Sequence, residues 1–154
     1  MSVENMSSCG DEAVQATNDD ATTCKRSAIS LGYWSDPYLP YFIRGAITKK
    51  APEINRGYFA RHYGVYNLVL NTLRKFGEID SSAEPVDVQI VNIGCGFDTL
   101  FWRLNADRSS FADKVNIKAF VDIDFPTTTL KKVHFVKNTK ELLVGIANEG
   151  RDNY

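Results

Sequence analysis

Apolar positions are spread unevenly along the 154 residues. From residue 1 to 23 they are sparse among Ser, Thr, Asn, Gly and Ala, and Glu4, Asp11, Glu12, Asp19 and Asp20 face no lysine or arginine. Such a stretch buries too little apolar area to offset the entropy of ordering it. Residues 1–20 therefore read as an acidic tail, disordered over at least 1–15, with the stretch to Thr23 becoming ordered where it meets the domain. The run CKRSAISLGYWSDPYLPYFI follows. It predicts a short helix over 25–31, with candidate caps among Asp20 to Thr23, a stop at Gly32 and a turn over 34–37. Tyr33, Trp34, Tyr38, Tyr41 and Phe42 either close one end of the core or form a lid or substrate wall. From Pro52, the spacing of Phe59, His62, Tyr66, Val69, Leu73 and Phe76 predicts an amphipathic helix that Gly77 ends.

After the polar linker EIDSSAEPVD, the pattern changes from helical spacing to short apolar runs. VQIVNI reads as a buried parallel strand over 88–93, followed at once by Gly94-Cys95-Gly96 and a helix over 99–104. A second strand covers 117–123, and a third candidate is 133–136. The order strand, glycine turn, helix is what a nucleotide-like cofactor needs, because glycines let backbone approach a ligand closely. The motif is only GxG, and no GxxxxGK[ST] is present, so neither a dinucleotide nor a nucleoside triphosphate is strongly indicated. Asp122 and Asp124 lie 28 and 30 residues beyond Gly94, at the carboxyl end of the second strand. There a carboxylate can accept hydrogen bonds from both hydroxyls of a ribose.

Charge and composition narrow the classes. Eighteen basic and nineteen acidic residues give a net charge of -1, which removes the bulk positive charge that draws proteins to nucleic acid. Three cysteines without paired spacing argue against a disulfide scaffold or a thiolate zinc site, and two histidines leave little for a metal centre. With no basic leader and no window of about 18 apolar residues, the expectation is a cytoplasmic protein that contacts no membrane. Arg56 and Arg61 are about 140° apart around a helix and are weighed separately. His62, on the apolar side, reads as a packed histidine rather than a base.

The blocks CKRSAISLGYWSDPY, KAPEINRGYFARHYGV, QIVNIGCGFDTLFWRL and DIDFP, in that order, resemble the leucine carboxyl methyltransferases over roughly residues 17–137. The resemblance implies S-adenosylmethionine as cofactor. It also implies methylation of the C-terminal leucine carboxylate of the protein phosphatase 2A catalytic subunit. It matches Lys25 and Arg61 to positions that engage the cofactor's methionine carboxylate or close its pocket. Gly94 and Gly96 fall in the cofactor loop, Asp124 on the ribose, and Asp122 is the second choice for that role. No residue is assigned to acid–base or covalent catalysis, because a carboxylate is already nucleophilic and must chiefly be aligned. The fold implied is α/β, an incomplete Rossmann-like methyltransferase domain over 85–154 behind a helical cover over 21–84, acting as a monomer. Only the amino-terminal portion of the family's sheet fits in this length, so a catalytically inactive binding or regulatory fragment is the alternative expectation.

Overall fold

Two parallel strands form the only sheet among the described residues of the computed structural model, which are 4–79, 84–144 and 146. Strand β1 is Val86–Ile93 and β2 is Val115–Ile123, paired from Val86 opposite Val115 to Ile93 opposite Ile123, with one irregularity between Val88 and Gln89. The crossover between them holds helix α3, Leu100–Ala106, and a single 3-10 turn, Arg108–Ser110. Ahead of the sheet lie helix α1, Glu4–Ser30, a 3-10 turn at Leu39–Phe42, and helix α2, Pro52–Ile79. After it come α4, Pro126–Lys137, and the short α5, Lys140–Leu143. This is the expected α/β arrangement, an incomplete Rossmann-like sheet preceded by helices.

Three expectations about elements are corrected. The stretch 4–20, expected as a disordered tail, lies in α1, and the short helix from Lys25 is only its last part. The polar residues that looked like caps are helix interior: the hydroxyls of Thr22 and Thr23 donate to the carbonyls of Asn18 and Asp19, one turn back. Packing of its carboxyl-terminal half on the start of α2 supplies what apolar content did not. Buried Ser27 donates to Asn55 Oδ1 at 2.9 Å and accepts from the Lys50 amide, while Asn55 donates to the Lys50 carbonyl. The helix does stop at Gly32, whose φ of 78° lets the Tyr33 amide return to the Ala28 carbonyl. Residues 1–3 of the expected tail, and 80–83 of the linker, lie outside the described residues.

Second, α2 continues past Gly77 to Ile79. Gly77 is buried in it because a Cβ there would collide with the Lys114 side chain, so its missing side chain serves a close approach rather than a stop. The predicted stripe holds at Tyr66, Val69 and Leu73, joined by Leu70, but Phe76 is exposed. Third, 133–136 belongs to α4, not to a strand. Pro126 sets the first helical turn, and Phe135 and Val136 pack on a cluster of Phe42, Phe97, Trp102 and Leu142.

The other core cluster, Leu70, Leu73, Leu100, Leu104, Phe111 and Val115, covers Val88, Ile90, Ile117 and Phe120 of the sheet. Val91, Ile93, Val121 and Ile123 remain exposed, Ile93 at 79%. No described helix is long and apolar enough to cross a membrane.

Candidate cofactor site

The glycine loop leaves β1 with Gly94 at φ 68° and Gly96 at φ 48°, conformations that L side chains adopt at a penalty. Its amides are all engaged. Gly94 and Cys95 donate to the Ile123 carbonyl, Gly96 to Asp124 Oδ2 at 2.7 Å, Phe97 to Asn18 Oδ1 at 2.9 Å, and Asp98 to the Cys95 carbonyl. The Leu100 amide, at the start of α3, donates to Asp98 Oδ1 at 2.7 Å. A phosphate needs such N–H groups free, so this loop fits a cofactor that passes the glycines without resting a phosphate on them. A Cβ at Gly96 would also meet the side-chain oxygen of Asn18 from α1 and displace it.

The two strand-end acids are separated by their partners. Asp122 accepts from Lys132 Nζ at 2.7 Å and Asn92 Nδ2 at 3.0 Å, and Lys132 is only 5% exposed. It is the neutralising half of a buried ion pair. Asp124 accepts the Gly96 amide on one oxygen and its own neighbour Phe125's amide on the other, leaving a lone pair on each oxygen at the loop. Cys95, between the glycines, is a thiol and no nucleophile: burial, chiefly, pushes its pKa up to about 11.

A charged cluster follows the loop. Lys25 Nζ stands 3.9 Å from Asp98 Oδ2, Arg103 Nη2 stands 3.9 Å from Asp98 Oδ1, and Arg103 Nε stands 4.0 Å from Asp36 Oδ2. Burial first pushes the Lys25 ammonium below the ordinary lysine range. The repulsion of Arg103 and Arg61 adds to it, against the attraction of Asp98 and Asp36. Burial weighs against the charge on Asp98, but Lys25, Arg103 and the Leu100 amide outweigh it and hold its carboxyl below the ordinary range. His62 stacks on Trp34 at 4.4 Å and meets Arg103 Nη1 at 2.9 Å. Burial, then Arg103, lowers its pKa to about 4, so the ring is neutral at pH 7. Lys25 and Arg103 thus both face Asp98, Arg103 is drawn also to Asp36 and Asp107, and the exposed Arg61 adds its repulsion to Lys25.

Of the residues singled out in the sequence, Lys25 and Arg61 are within reach of one another's charge, and Gly94, Gly96 and Asp124 form a continuous loop edge. Asp122 is diverted to Lys132, and Arg56 is exposed on α2. Asp36, Asp98, Arg103 and Asn18 were not singled out. Asp98 carried a local signal, an acid directly after the glycine loop. A cavity of about 250 Å³ beside Arg74, Glu78, Phe111 and Lys114 is at the amino-terminal end of the strands, away from the edge where α/β ligands sit.

The family model described as leucine carboxyl methyltransferase matches residues 13–144. Leucine carboxyl methyltransferase 1 of Rattus norvegicus is 42% identical over 134 residues, which are 86% of this chain and 36% of that protein. That of Bos taurus is 44% identical over 127 residues, 82% of this chain and 34% of the relative. The tRNA wybutosine-synthesizing protein 4 of Homo sapiens is 34% identical over 130 residues, 84% of this chain and 18% of the relative. The chain spans about a third of the length of the two leucine carboxyl methyltransferases.

Proposed function

This chain belongs to the leucine carboxyl methyltransferase family, and from that membership we propose that it holds S-adenosylmethionine for methyl transfer to the C-terminal leucine carboxylate of the protein phosphatase 2A catalytic subunit. The observation that carries the reading is Lys25, three-quarters buried beside the glycine loop, 3.9 Å from Asp98 and without a hydrogen bond among the described residues. The carboxylate of a cofactor with a free amino-acid end offers that ammonium an acceptor. Lys25 and Arg61 would take it, and Asp124, held against Gly96 with lone pairs to spare, would accept the ribose hydroxyls. The engaged loop amides fit equally, because this cofactor brings no phosphate.

When bound, the cofactor supplies an electrophilic methyl group on a sulfonium sulfur. The residues of this chain bind and orient. Neutral His62, committed to Arg103, takes no proton in the step, and the acceptor carboxylate needs none removed. Lys25, Arg61 and Asp124 would hold the cofactor, which would supply its methyl group to one oxygen of that carboxylate to give a methyl ester. Alignment and exclusion of water are the remaining contributions.

The exposed sheet face at Val91, Ile93, Val121 and Ile123 favours a second reading, in which the chain by itself binds cofactor without turnover. Labelled-methyl transfer to a peptide ending in the phosphatase's leucine, beside the same peptide with an amidated end, separates them. Ester on the free carboxylate alone supports transfer. Cofactor binding without ester supports the second reading, and the absence of both contradicts the family function for this chain.

A further inference from the structure

We propose that Arg103 is a positioning residue for the carboxylate end of the cofactor, acting by holding Asp98 away from Lys25. The proposal rests on the cofactor reading above and adds to it a residue that never needs to touch the ligand.

Arg103 lies on α3, one turn beyond Thr99, where its guanidinium meets three segments distant in sequence. Nη1 reaches His62 Nε2 on α2 at 2.9 Å, and the carbon of the guanidinium sits 4.9 Å over the Tyr66 ring, whose hydroxyl donates to Asp107. An arginine offers donors only, so Nε2 of His62 is the acceptor and the ring carries its proton on Nδ1. Trp34, stacked on that ring, fixes its plane. Asp36 attracts Nε at 4.0 Å without bonding it, and is itself held elsewhere: Oδ1 takes the Tyr38 and Leu39 amides and Oδ2 takes Thr99 Oγ1. Nε is accordingly a buried donor without a partner, held by charge. The guanidinium is therefore fixed by groups other than Asp98, and can act on Asp98 as a fixed charge.

Asp98 is the member of the cluster with freedom left. Oδ1 takes the Leu100 amide and faces Arg103, while Oδ2 faces Lys25 at 3.9 Å, beyond hydrogen-bond length. Lys25 makes no hydrogen bond among the described residues, although three-quarters of its side chain is buried. Its three donors are thereby kept for a ligand. Without Arg103, only the Leu100 amide holds Asp98 against closure onto Lys25, and a direct bond of that kind would occupy the ammonium that the ligand carboxylate needs. Lysine cannot replace arginine here, since a single ammonium cannot address His62, Asp36 and Asp98 from one fixed plane.

The experiment is calorimetric titration of the chain with two probes, S-adenosylhomocysteine and 5′-methylthioadenosine, which share the adenosine and thioether but differ in the amino-acid end that bears the carboxylate and its ammonium. For Arg103→Met the expected result is a loss of about tenfold or more for the first probe, with the second unchanged. Asp98→Asn added to Arg103→Met should restore most of the loss, which a merely structural role would not do. If Arg103→Met melts without cooperativity, Arg103→Lys takes its place and the same selective loss is expected. Equal weakening of both probes, no weakening, or no rescue by Asp98→Asn overturns the role of Arg103 alone. Failure of the unsubstituted chain to bind either probe overturns the cofactor reading and this proposal together.

Discussion

Asp122 and Asp124 carry the same charge two positions apart, yet their partners divide their work. Asp122 neutralises buried Lys132, whereas Asp124 closes the glycine loop from below. Asp122→Asn should destabilise the fold by roughly 2–4 kcal/mol, under the full value for a broken buried pair because Asp122 is 23% exposed. It should leave cofactor affinity nearly intact. Asp124→Asn should do the reverse, weakening S-adenosylhomocysteine about tenfold with a smaller change in stability. Urea unfolding and calorimetry on both variants check the division, and matched effects would refute it. At this scale the sequence marked both acids and the loop, because GxG after an apolar run and an acid at a strand end are local patterns. It could not rank the two acids, since the ranking depends on Lys132 approaching one of them. Nor could it find Asp36 and Arg103, whose partners Thr99 and His62 are 63 and 41 residues away.

Among the elements, α2 and the two strands were legible because each has a clear period, 3.6 in one and short apolar runs in the others. Helix α1 shows no apolar stripe in its first half, and its order is set by contacts with α2 and with the loop through Asn18. The four-residue run at 133–136 fits either period, and Pro126 decided for helix. The junction of α2 with α3 through His62 and Arg103 has a thermodynamic consequence. The unfolded ring takes its proton near pH 6.5 and the folded ring only near about 4. Between those values the unfolded state binds more protons, so stability rises with pH across that window and is lost as pH falls through it. Thermal melts from pH 4 to 7 should show this climb, and His62→Gln should flatten it. An unaltered slope in His62→Gln would place the linkage elsewhere, with Asp98 the next group, at lower pH.

For the whole molecule, the helices ahead of the sheet and the loop behind β1 converge on one edge, and the opposite sheet face is left with four exposed apolar side chains. Family membership accounts for the first feature, and the span of about a third of the relatives' length accompanies the second. The proposed roles of the described residues are a cationic seat for a carboxylate at Lys25 and an acid for a ribose at Asp124. Calorimetric titration of S-adenosylhomocysteine into the chain, beside Lys25→Met, tests that claim most directly. The expected result is one site per chain, weakened about tenfold or more by Lys25→Met. No heat of binding to the unsubstituted chain, or equal affinity for Lys25→Met, would contradict it.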